Sequence, residues 1–158
     1  MDPMVIDRKS IRWLIIILTA LILFGCISIK QGYIQVLGLN DLDSAFESTI
    51  ELVEQVGFEE YVCEKTKPKY KHSCYTYQIL ESHALGAFRR EFFVSVWSDE
   101  EKKRIILFFG EANVSSFSTD GRSIFNHIIK SIQVNYPSND VVFGSDRETS
   151  LAIRQELH

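Results

Sequence analysis

From residue 41 onward the apolar positions fall in a helical rhythm, then in alternation, then in a helical rhythm again. Leu42, Ala45, Phe46, Thr49, Ile50 and Val53 recur every three or four residues with Glu47, Glu51 and Glu54 facing away, which predicts an amphipathic helix. Asn40 or Asp41 can cap it through a side-chain oxygen. Gly57 ends it, because glycine accepts the left-handed conformation needed just past a helix, and Phe58 can fold back on Val53. Tyr61-Val62-Cys63 is a short extended piece. Tyr75, Tyr77 and Ile79 then alternate with Thr76, Gln78 and Leu80, and Phe92, Val94 and Val96 alternate with Phe93, Ser95 and Trp97, the period of two that marks strands. Arg104 to Phe109 is apolar on both faces, as a strand inside a sheet is. Ile124, Phe125, Ile128, Ile129 and Ile132 make a second amphipathic helix, capped from Ser118, Thr119 or Asp120 and stopped at Pro137.

These elements predict an α+β fold: a two-layer sandwich in which a three- to four-stranded antiparallel sheet carries both amphipathic helices on one face. The expected domain spans residues 41–143, with an edge strand at Asp140–Phe143. Residues 26–40 read as a tether containing a short strand at Tyr33–Leu37. Residues 144–158 are polar apart from Leu151, Ala152, Ile153 and Leu157, and read as a flexible, weakly helical tail.

The amino terminus follows another rule. Arg8-Lys9-Ser10-Ile11-Arg12 precedes an apolar run from Trp13 to Phe24, 12 residues long, and then Gly25-Cys26. A basic start, a short apolar core and a small residue at the boundary are the parts of an export signal. Leu23-Phe24-Gly25-Cys26 resembles the lipobox of bacterial lipoproteins. That resemblance covers residues 1–26 only. It implies removal of residues 1–25, lipid (palmitate-type acyl chains) on Cys26, and a lipid-anchored position in the cell envelope facing the periplasm. Ile27 lacks the aspartate associated with inner-membrane retention in enteric bacteria, which favours the outer membrane. The rival reading is an uncleaved anchor, since Trp13 to Ile29 is 17 residues, the lower edge of a bilayer span. Either way the bases precede the apolar run, so the amino terminus stays inside.

Residues 1–25 carry three bases (Arg8, Lys9, Arg12) and two acids (Asp2, Asp7), leaving 14 bases against 19 acids and a net charge near −5. Such a balance gives no general attraction for nucleic acid. With Cys26 assigned to lipid by the resemblance, Cys63 and Cys74 remain, an even number suited to a disulfide in an oxidising compartment. The alternative is a metal site from Cys63, His72, Cys74 and His83, although no spacing preorganises one. Lys65, Lys67, Lys69 and Lys71 around Pro68 read as a solvated hairpin loop whose charges discourage strand pairing, or else as a patch for an acidic partner.

Catalytic patterns are thin. Neither G-x-S-x-G nor H-E-x-x-H occurs. His127 beside Asn126 reads as a solvated helix residue, and Glu81 with His83 has no nucleophile beside it in sequence. The chain is therefore read as no enzyme and as having no cofactor. It is read as an anchored protein-binding or envelope assembly module, or alternatively as an immunity-type lipoprotein that neutralises a periplasmic toxin. Its recognition surface is expected on the sheet face away from the helices, carried by Phe93 and Trp97, unless the tether, the 75–80 hairpin or the tail folds over that face.

Overall fold

The alternating middle of the chain joins both ends of the sequence in one antiparallel sheet of six strands, two or three more than expected. The computed structural model describes residues 29–63, 70–83 and 86–157. The strands are β1 (Ile29–Leu37), β2 (Glu59–Tyr61), β3 (Tyr70–His83), β4 (Gly86–Asp99), β5 (Arg104–Ala112) and β6 (Asp140–Gly144). Their order across the sheet is β2-β3-β4-β5-β1-β6. The helices are α1 (Leu42–Gln55), α2 (Thr119–Asn135) and α3 (Arg147–Leu157).

Local chemistry sets the ends of the first two helices as the residue pattern requires. Asp41 accepts the Ser44 N–H at 3.0 Å to cap α1, and Ser118 accepts the Gly121 N–H at 3.0 Å to cap α2. After α1, Gly57 sits at φ 103° and the Phe58 N–H reaches the Val53 carbonyl at 3.3 Å. That geometry closes the helix and turns the Phe58 ring into the core, where it is 3% exposed. The Tyr136 hydroxyl, just past α2, donates to the Ala45 carbonyl at 2.8 Å and lies 3.2 Å from the Thr49 hydroxyl, pinning the two helices together. Burial raises the Tyr136 pKa, so the phenol keeps the proton this bond uses.

Both helices pack on one sheet face. Phe46, Val53, Phe125, Ile128 and Ile132 meet Ile34, Val36, Val94, Val96, Leu107 and Phe109 there. Phe109 is fully buried at the centre, with the Phe125 ring 5.4 Å away, Phe117 5.3 Å and Phe92 6.0 Å. Burying each such ring is worth roughly 1.5–3 kcal/mol. β5 is buried from Arg104 to Glu111, as its two-sided apolar run predicts, because β4 and β1 flank it and both faces are covered.

Three boundaries differ from the reading of the sequence. Within the expected tether, whose residues 26–28 lie outside the described ones, β1 pairs with β5 from Ile29 to Val36 and with β6 from Tyr33 to Leu37, so this stretch lies inside the sheet. Residues 144–158 do not form a flexible tail, because Arg147–Leu157 is a helix that buries Ser150, Ile153 and Leu157 at spacings of three and four. The domain therefore runs past both limits of 41–143, and α3 on the second sheet face adds a third layer. The polar composition misleads because much of what holds this helix comes from residues distant in sequence. Asp146 caps α3 through the Thr149 N–H at 2.8 Å, and Glu156 accepts from Lys102 at 2.8 Å and Arg104 at 2.6 Å. Hydrogen bonds from Lys102 and then Arg104 hold the Glu156 carboxyl below its ordinary pKa, so it stays ionised and clamped at neutral pH.

Candidate functional site

The two cysteines meet because β2 pairs with β3 in a register that sets Tyr61 opposite Cys74, bringing Cys63 alongside. They form a disulfide, with Cα atoms 5.5 Å apart. His72 lies against it: Nε2 is 3.3 Å from the Cys74 sulfur and 3.7 Å from the Cys63 sulfur, and the imidazole stacks on Trp97 with centroids 3.7 Å apart. Cys63, His72 and Cys74 are the one group of metal-ligand type among the described residues, with ligand atoms within 4.8 Å of one another. Joined sulfurs have no thiolate to offer a metal. His83, the fourth ligand of the sequence-level alternative, lies eleven residues along the same strand from His72, on the order of 35 Å away. The bridge is structural. Replacing both cysteines with serine should cost about 2.8 kcal/mol from lost loop constraint, read by urea denaturation with and without reductant. An unchanged midpoint would show the bridge to be absent.

Trp97 is not on a recognition surface. It is 4% exposed, in a second apolar cluster with Tyr33, Tyr70, Ile106, Phe108, Ile153 and Leu157. Its indole N–H donates to the Ser95 hydroxyl at 3.2 Å, and the Tyr70 ring meets it edge-on at 6.2 Å. The physical reason is α3: its Ile153 and Leu157 cover the face that two helices alone would leave open. Arg154 completes the cover, its guanidinium 4.8 Å over the Phe108 ring. Phe93 is on the same face, half-buried, farther down the sheet than Trp97.

The other candidates separate. His127 is exposed on α2 and lines a groove of about 440 Å³ between α1 and α2 with Leu52, Val56 and Val134. Lys71 is exposed and paired with Asp43, while Lys65, Lys67 and Lys69 lie outside the described residues, as do Cys26, His158 and the side chains of Glu81 and His83.

What the sequence did not point to is the end of the sheet where β1 begins. Ile29 there is 47% exposed, and a Cβ at Gly110 on β5 would lie 3.3 Å from its Cγ2. Beside it, between β6 and the start of α2, is a cleft of about 450 Å³ lined by Lys30, Phe117, Arg122, Phe125 and Phe143. The Lys30 ammonium donates to the Ser145 carbonyl at 2.7 Å and sits 5.9 Å over the Phe117 ring. Two cations above an aromatic floor suit an amphiphile with an anionic head. At the same end, β4 continues past β5: the β4–β5 ladder stops at Phe92, and the six residues from Gly86 to Glu91 pair with β3 alone. Leu80, 68% exposed, and Arg89, also exposed, are directly opposed on this projecting ribbon. The unequal lengths of the alternating runs in β4 and β5 were the one signal of it in the sequence. Along the outer edge of the sheet and the face of the first helix, α1 and β2 present Asp43, Glu47, Glu51, Glu54, Glu59 and Glu60, all exposed.

Searched against models of known protein families and against curated protein sequences, the chain matches none.

Proposed function

We propose that this is an exported lipoprotein, held to a membrane through Cys26 and acting by binding a protein partner in the bacterial envelope, not by catalysis. The observation that carries the reading is Leu23-Phe24-Gly25-Cys26 at the end of a basic-then-apolar leader, followed within three residues by the start of β1. A boundary between a cleaved leader and a folded domain belongs at such a place. The Cys63–Cys74 bridge agrees with an oxidising compartment. Among the described residues no helix is long and apolar enough to cross a membrane.

Feeding cells a palmitate analogue tests it. The wild type should be tagged and Cys26→Ser should not, and the mature protein should begin at Cys26 by mass spectrometry. Equal tagging of both, or an intact leader, would replace the lipoprotein with an uncleaved anchor.

A second reading, an immunity-type lipoprotein, is favoured by the six exposed carboxylates of α1 and β2, which would complement a basic toxin surface. A neighbouring gene for a secreted toxin separates this reading from envelope assembly.

A further inference from the structure

We propose that Cys63, His72 and Cys74 form a zinc-binding site when the bridge is reduced, so that metal and disulfide are alternative clamps on the same loop. The inference stands on the folded domain alone and goes beyond the anchor assigned to Cys26.

The spacing of the ligand atoms carries it. Zinc holds thiolate sulfur at about 2.3 Å and imidazole nitrogen at about 2.0 Å, and tetrahedral angles then set sulfur and nitrogen about 3.5 Å apart. His72 Nε2 already stands 3.3 Å from the Cys74 sulfur and 3.7 Å from the Cys63 sulfur. One imidazole nitrogen thus faces both sulfurs at ligand spacing. Only the sulfurs must part, from bonding contact to about 3.8 Å, the separation of two thiolates on one tetrahedral zinc. Rotation about the Cα–Cβ bonds supplies that much.

The fold fixes two ligands and leaves the third adjustable. His72 and Cys74 alternate onto one face of β3, which pairs with β4 along its whole length. The Trp97 ring, opposite His72 in that ladder, stacks on the imidazole with 24° between the planes, and Tyr70 meets the indole edge-on. The imidazole is therefore oriented by the sheet and not by the bridge. Cys63 follows β2, which makes only three pairs with β3, so this arm can swing as the bridge opens. Two thiolates and a neutral imidazole cancel the charge of a divalent ion, as a largely buried site requires. Three protein ligands leave the fourth position to water, and beside Cys63 the chain is open to solvent, Val62 being 94% exposed.

A dithiol supplies the two electrons. Its thiolate attacks one sulfur of the bridge, its second thiol releases the mixed disulfide, and Cys63 and Cys74 are left as thiols while the dithiol becomes a disulfide. Zinc then replaces the two thiol protons, which pass to water. Exchange with an oxidised dithiol reverses both steps and frees the ion.

The test uses the full chain in detergent with Cys26→Ser in every arm, so that Cys63 and Cys74 are its only cysteines. Reduced with a phosphine under nitrogen, it should bind one zinc ion about a hundredfold or more tighter than the oxidised chain, in competition with a chromophoric chelator. Cobalt in place of zinc should give thiolate charge-transfer absorption and the intense visible bands of tetrahedral coordination. His72→Ala should weaken zinc binding about tenfold or more with both thiols present, and His72→Cys should restore it, which a packing role for the imidazole does not predict. If His72→Ala alters the far-ultraviolet dichroism, His72→Cys decides alone. Its cobalt charge-transfer band should then grow by about half, for three thiolates in place of two. An unchanged band overturns the proposal. So do equal affinities of the reduced and oxidised chains, an octahedral cobalt spectrum, or a folded His72→Ala chain that binds zinc as tightly as its parent. The anchor is decided separately, by lipid labelling at Cys26.

Discussion

Trp97→Ala should lower the stability of the domain by about 3–5 kcal/mol, the range for deleting a buried aromatic ring. For a domain of this size that is a fall in thermal midpoint of roughly 10–20 °C. The indole is 4% exposed, stacked on His72 and covered from α3, so its loss opens a cavity between the sheet and that helix. Ile153 and Leu157 lose their main apolar surface, and α3 should fray first. Denaturant melts followed by far-ultraviolet dichroism measure the size, and amide exchange over residues 147–157 measures where it falls. An unchanged midpoint would mean that α3 does not close over the sheet, and Trp97 would return to the candidate surface.

The second large effect is expected where β5 meets the start of α2. Glu111 is fully buried and its Oε2 accepts the Ser118 N–H at 2.9 Å, so a carboxylate from the sheet supports the first turn of the helix. Gly121 makes the approach possible. A Cβ there would lie 2.2 Å from Glu111 Oε2 and 3.2 Å from the Phe92 ring. Gly121→Ala should therefore cost about 3 kcal/mol despite alanine's better helix propensity, since it forces a fully buried carboxyl group off its donor. The cost is specific to the pair. In a Glu111→Ala background the same glycine change should cost less than about 1.5 kcal/mol, a coupling that a double-mutant cycle by urea denaturation reads directly. Additive losses would show that the glycine is required for some other reason.

Particular residues show how far the sequence could be read. Asp41, Gly57, Phe58 and Ser118 act through neighbours within five residues, so the limits of α1 and the start of α2 follow from local chemistry. The burial of β5 on both faces follows from its composition. The disulfide follows from a count of cysteines together with the leader. In contrast, β1 is only partly apolar, with Lys30, Gln31, Gly32 and Gln35 in its run, and becomes a central strand because β5 and β6 arrive from the other end of the chain. For α3, the deciding interactions are Arg104 and Lys102 on Glu156 and Trp97 under Ile153, none of them visible as periodicity. The error over Trp97 has the same origin. Alternation correctly placed it on the face opposite Val94 and Val96, but the cover came from a segment whose composition looked unstructured. Likewise the projecting ribbon is a property of where β5 stops, which no single strand reveals.

The place of β1 in the sheet also sets a timetable. Synthesised from the amino terminus, β1 is the first of these six strands to emerge, yet it pairs only with β5 and β6. Its partners across β5 are 69 residues away at Val36 and Ile105 and 83 away at Ile29 and Ala112. At ribosomal rates the first strand then waits roughly 4 to 15 s for a neighbour, while α1 and the β3–β4 hairpin can form from contacts near in sequence. Insertion of β1 is thus a late, long-range closure, with its entropy cost taken before any ladder bond returns it. Until then β5 keeps an open edge rich in Ile, Leu and Phe, the template on which chains aggregate. A protein built in this order is most vulnerable before its carboxyl terminus is free, and agents that hold nascent chains unfolded should matter more for its yield than for its final stability.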